Sequence, residues 1–256
     1  MKNSIKLLNL NKELRYLAYS LIQPEKIKIR TYKDGVACYM ISKAYKTQGV
    51  VLDLIQKGFS EDADMLIRTL FDCALIISAC INDESDETTM KFINFDDSIR
   101  TKMFKQLNNQ NLFTDYFTER KKSPKLGDES IEEIENRAQK WIEIYGKDFK
   151  NHWHSGKSTG EVAELVDLKK YYETAWALQT HLVHSLPRCL NLYIKDDGKE
   201  LIIDVEPKIE DSAISLVSLF NIFYIVVSKF SSHFELKKES VLSDLATRYT
   251  RIVNTN

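Results

Sequence analysis

The chain has 256 residues and carries 36 Lys+Arg against 37 Asp+Glu, a formal net charge of −1. Its 8 Gly and 4 Pro fall far below an average usage of roughly 12% for the two together, which excludes turn-dense sandwiches and barrels, collagen-like repeats and flexible linkers. The 43% hydrophobic fraction supports a large core and excludes general disorder, and the charge balance excludes a global basic footprint for nucleic acid.

Apolar spacing at i, i+3, i+4 and i+7 predicts helices through most of the chain. The first runs over 4–22 and stops before Pro24; the second covers 34–57 and ends at Gly58. Ser60 then reads as the N-cap of a third helix over 61–81, with Glu61 and Asp62 where the helix dipole favours negative charge. After Asp72 that helix is apolar on every side except Ser78, which predicts all-round burial of Cys73, Ile76, Ile77 and Cys80. A fourth helix over 87–107 follows the acidic turn 82–87. The charged stretch 119–130, with Pro124 and Gly127, is the best loop in the chain.

Further helices are predicted over 131–145, from Ser158 to Val166 with the capping-box pair Ser158 and Glu161, and over 168–185. The run 191–207 breaks the pattern. It sets Asp-Asp-Gly between two β-prone segments and predicts a β-hairpin near 191–205. Helices over 208–230 and 237–252 complete the chain. The fold class is therefore mainly α: a multi-helix bundle with one small inserted hairpin, read as a single domain over 1–256.

Four cysteines without a CxxC read as reduced, buried residues, and the N-terminus lacks the apolar core of a signal peptide. The stretch 213–227 is about 15 residues long, short of the roughly 20 that a bilayer requires, and reads as a central buried helix. A cytoplasmic address and no membrane partner are expected.

Three constellations invite a chemical reading. His152, His154, His181 and His184 form HxH and HxxH pairs, but no HExxH spacing or tied carboxylate accompanies them, so no metal site is expected. Gly156-Lys157-Ser158 has Asn151 where a phosphate-binding loop needs its first glycine, so no nucleotide cofactor is expected. Trp153 reads there as a packing anchor and Ser158 as a cap. Asp64, Arg68 and Asp72 stand at i, i+4 and i+8 on the third helix, either a surface ion-pair stripe or a partly buried arginine positioning a site.

The order of these features resembles the bacterial domain-of-unknown-function family numbered 5677. That family shows a long helix, a glycine, a helix with the pattern dA..l.R.l.E, a W..G.S element, a tyrosine-bearing helix and a histidine before a hairpin. Ala63, Arg68 and Asp72 match the first pattern, Asp72 standing where Glu is usual. Trp153, Gly156 and Ser158 match the second; Tyr171 or Tyr172, and His184 followed by Ser185, supply the rest. The likeness covers about residues 35–230, with the helices 4–22 and 237–252 expected to pack on that region. It implies a helical fold, Trp153, Ser158, Tyr171 and Tyr172 as candidate binding residues, and Arg68, Asp72 and His184 as candidate catalytic ones.

The family also looks distantly like HEPN domains, some of which are metal-independent ribonucleases of toxin–antitoxin and phage-defence systems. Their R-x4-6-H signature is absent here, so only a tertiary pairing of Arg68 with His184 would substitute. Two functions from different classes follow. One is a non-catalytic interaction or regulatory module with a protein partner or a second copy; the other is a ribonuclease-like hydrolase acting on RNA through Arg68, Asp72 and His184. No cofactor is implied by either.

Overall fold

The computed structural model describes residues 2–23, 27–110, 129, 131–196, 198, 200–208 and 212–254. The chain is mainly helical with one small antiparallel hairpin. In order come α1 (Lys2–Leu21), α2 (Tyr32–Gln56), α3 (Ser60–Asn82), α4 (Glu87–Gln110), α5 (Ile131–Tyr145) and α6 (Thr159–Leu165). Then follow α7 (Lys169–Tyr171), a π turn (Tyr172–Trp176), α8 (Ala177–Val183), α9 (Leu190–Tyr193), β1 (Ile194–Asp196), β2 (Leu201–Ile203), α10 (Ala213–His233) and α11 (Glu239–Val253). Of the loop expected at 119–130, all but Glu129 lies outside the described residues.

Where the sequence suggests one domain, two compact units are distinguished: Met1–Glu84 with Ala163–Asn256, and Ser85–Val162. In the first unit α3 is central, packed on α2, α10 and α8, while α1 packs on α10 and α11. Helix α10 turns Leu216, Leu219, Phe220, Ile222, Phe223, Val226, Val227 and Phe230 into this core. Polar ties cross the core. Asn11 donates to the carbonyls of Leu7 and Leu216 at 2.9 and 3.1 Å, and Gln48 donates to the Asn11 carbonyl at 3.2 Å. These bonds leave fewer buried polar groups unpaired and fix three helices in register.

The second unit is built on α4 and α5. Asp97 of α4 accepts from Arg137 at 2.9 and 3.2 Å and from the Trp141 indole at 3.1 Å. Phe149 is wholly buried, with Phe95 and Tyr145 at ring-centroid separations of 5.7 and 4.8 Å.

Three local expectations are corrected. The N-cap of α3 is Phe59, not Ser60; Ser60 is the first helical residue, with a buried hydroxyl that bonds to nothing. The cause lies one turn earlier, where α2 ends in a Schellman turn. The Gly58 N–H reaches the Ile55 carbonyl and the Phe59 N–H reaches that of Leu54, at 3.1 and 3.0 Å. This spends Phe59 on closing α2. The continuous helix expected over 168–185 is interrupted by the π turn. And while Cys73, Ile77 and Cys80 are buried as expected, Ile76 is partly exposed, on a strip with Met65, Thr69 and Asp72 that no neighbouring helix covers completely.

Candidate functional site

On α3, Arg68 donates to Asp72 at 2.9 Å, with the guanidinium carbon 5.0 Å from the centre of the Trp176 ring. Trp176 stacks on Tyr172 at 4.6 Å, and Tyr172 lies 6.4 Å from Phe71. The arginine is thus held by a carboxylate on its own helix and by an aromatic face from the π turn, a common way to fix a partly buried guanidinium. Burial raises the Asp72 carboxyl above its ordinary range, opposed by the Arg68 and Lys43 charges. One turn before Arg68, burial pushes Asp64 up to about 6, against a hydrogen bond from Ser215 and with help from Glu61. Cys73, also raised by burial to about 11, is an inert thiol rather than a nucleophile.

On α3 itself, Arg68 Nε and Asp64 Oδ1 are buried without a hydrogen-bond partner. Trp176, which also helps hold the Asp72 carboxylate, carried no sequence signal as a site residue. Trp176 is legible only afterwards, as the aromatic four places beyond Tyr172.

The other candidates lie elsewhere. The pairs Phe71–Tyr172 and Arg68–Trp176 make the π turn and α8 run antiparallel to α3. Continuing that register carries His184, eight residues and about 12 Å of helix axis beyond Trp176, toward the first turn of α3 and away from Arg68. His184 caps α8, its N–H bonded to the Thr180 carbonyl at 3.1 Å, and its side chain is exposed. Arg68 and Asp72 are therefore brought together, with Trp176 as the third member of the group. Tyr171 is half-buried.

Trp153 and Ser158 belong to the second unit. Trp153 stands edge-on to Phe92 at 5.9 Å, the anchoring role expected of it. Ser158 forms the expected capping box: its hydroxyl accepts from the Glu161 N–H at 3.2 Å, and Glu161 accepts from the Ser158 N–H at 2.6 Å. His152 and His154 stack at 5.2 Å in this unit, whereas His181 and His184 belong to the first. Among the described residues no three His, Cys, Asp or Glu side chains come together as metal ligands.

The hairpin is the second feature of note. Ile194 pairs with Ile203, Lys195 with Ile202 and Asp196 with Leu201. Leu201 and Ile203 thus share a face, at 71% and 75% exposure, and Val205 beyond them is 72% exposed. On the other face Asp204 holds Lys195 and Lys208 in ion pairs. The return leg is anchored to the α2–α3 turn, where the Lys208 N–H donates to the Gly58 carbonyl at 2.9 Å.

A mainly helical chain whose central helix carries an Arg–Asp pair, followed by a tyrosine-bearing helix, a capping histidine and a hairpin, defines an all-α domain of one particular layout. The chain belongs to the family of unknown function DUF5677, whose model matches residues 34–201. Comparison with curated proteins and with solved structures gives no match.

Proposed function

We propose that this chain is a non-catalytic interaction module that binds a protein partner through the apolar face of its hairpin. The observation that carries this reading is the row Leu201, Ile203 and Val205, all more than 70% exposed. Single exposed apolar residues are ordinary, but a bare row along β2 and the residue two places beyond it favours a contact surface. A two-stranded hairpin is also only marginally stable alone, so its persistence with an uncovered face favours a partner that covers it.

A ribonuclease-like hydrolase would need an acid–base partner within hydrogen-bond reach of the Arg68 site. The antiparallel register carries His184 about two turns away, and the guanidinium is engaged by Asp72 and Trp176. Purified protein incubated with a generic RNA and no added metal is expected to give no cleavage above background. Cleavage that disappears in both Arg68→Ala and His184→Ala would overturn the reading in favour of the hydrolase.

A further inference from the structure

Helices α1 and α2 lie side by side and antiparallel: Lys12 meets Gln56, and Arg15 meets Gln48 and Tyr45. Their solvent faces repeat one pattern. On α1, Lys12, Tyr16 and Tyr19 stand at i, i+4 and i+7; on α2, Tyr39, Lys43 and Lys46 do the same. Each stripe sets aromatic rings beside cations. Tyr16 is 77% exposed, and Tyr19 and Tyr39 are each more than half exposed.

Arg15 bridges the two stripes. Its guanidinium lies on the Tyr45 ring, 3.8 Å from the ring centre, and donates to the Tyr45 carbonyl and the Gln48 amide oxygen. Gly49 makes room for it, since a Cβ there would stand 2.8 Å from Arg15 Nη2. Tyr19 closes the group, its ring centre 6.1 Å from that of Tyr45. The oxygens that hold Arg15, and the Gln56 amide oxygen that holds Lys12 at 2.8 Å, are all neutral. They fix both side chains without cancelling their charge.

From residue 3 onward, α1 and α2 carry six Lys+Arg (Lys6, Lys12, Arg15, Lys33, Lys43, Lys46) against three Asp+Glu (Glu13, Asp34, Asp53), in a chain of net charge −1. Glu13 is turned to Arg248 of α11 and Asp34 to His233 of α10. Asp53, two turns beyond Lys46, is the exposed carboxylate that remains, and Lys43 shares its charge with Asp72. Lys12, Arg15 and Lys46 still leave the face positive, so its complement is a polyanion. The rings decide which kind. An aromatic face is negative and repels carboxylates, so an acidic peptide would use the cations and leave the tyrosines bare. A nucleobase stacks on such a face, and a single strand has bases free to do so.

We propose that the α1–α2 face binds single-stranded nucleic acid without sequence preference, with phosphates on Lys12, Arg15 and Lys46 and bases stacked on Tyr16, Tyr19 and Tyr39. Binding there is independent of the hairpin and involves no cleavage.

Fluorescence anisotropy on the full chain provides the test. A labelled oligothymidylate of about 15 nucleotides is expected to bind at low salt, about tenfold or more tighter than a duplex of equal length or an oligoglutamate peptide. With three phosphates held, log Kobs should fall against log salt with a slope of about −2, and Lys46→Gln should reduce that slope by about 0.7. Tyr16→Ala should weaken binding about fivefold or more with its melting temperature unchanged, and Tyr16→Phe should restore it. Absence of binding, or equal binding by Tyr16→Ala and wild type, would overturn the proposal. A duplex bound as tightly as the single strand would also overturn it, because the phosphates alone would then be read. Tighter binding of oligoglutamate would replace the nucleic acid by an acidic protein segment.

Discussion

Replacing Gly58 by alanine is expected to destabilise the protein by about 2–4 kcal/mol, measured by denaturant unfolding. Gly58 has φ of +86°, the left-handed conformation that closes the Schellman turn of α2. A side chain there costs roughly 1–2 kcal/mol from backbone sterics alone. Its Cβ would also stand 2.8 Å from the Lys208 nitrogen and from Pro207 Cβ. Neither neighbour is the free end of a flexible side chain, so the return leg of the hairpin must move and its bond to the Gly58 carbonyl must weaken. A cost below about 0.5 kcal/mol would show that this turn does not anchor the hairpin.

The second large effect is stabilising. Asp64→Asn is expected to raise stability at pH 7 by about 2 kcal/mol, because the native carboxyl titrates near 6 instead of its ordinary 3.8. The native state holds this proton more tightly than the unfolded state. Below about pH 4 both states are protonated and the wild type pays nothing; as pH rises from 4 to 6 the unfolded state ionises first and stability falls. Asparagine removes that loss, so the difference between variant and wild type should grow from pH 4 to pH 6 and then level off. A difference that is flat across this range, or of opposite sign at pH 7, would contradict the assignment.

Much of this architecture was legible in the sequence, and the illegible parts have physical causes. Helices α1 to α5 follow from apolar periodicity, and the hairpin from Asp-Asp-Gly with Gly198 at φ of +84°. The Ser60 cap was misplaced because a capping residue is recognised only when the preceding turn leaves it free, and the Schellman closure of α2 takes up Phe59. The π turn at Tyr172–Trp176 leaves no trace in a pattern of apolar spacing, since it changes the hydrogen bonding and not the residue types. Arg68 and Asp72 were readable as an i, i+4 pair. Trp176 as their third member was not, because it comes from another helix whose alignment only tertiary packing sets. The hairpin signal likewise says where the chain reverses but not which face finds a neighbour; the bare row at Leu201, Ile203 and Val205 is a tertiary fact.

Thermal unfolding of a triple variant, Leu201→Thr, Ile203→Thr and Val205→Thr, addresses the central claim most directly. Threonine keeps β-propensity and removes apolar surface, so only burial of the row makes it costly. If the row is a contact surface left bare in the isolated chain, the variant should melt within about 2 °C of wild type, as exposed substitutions do. A fall of more than about 6 °C would mean that these side chains are buried by the protein's own fold, and the hairpin would not be its binding face.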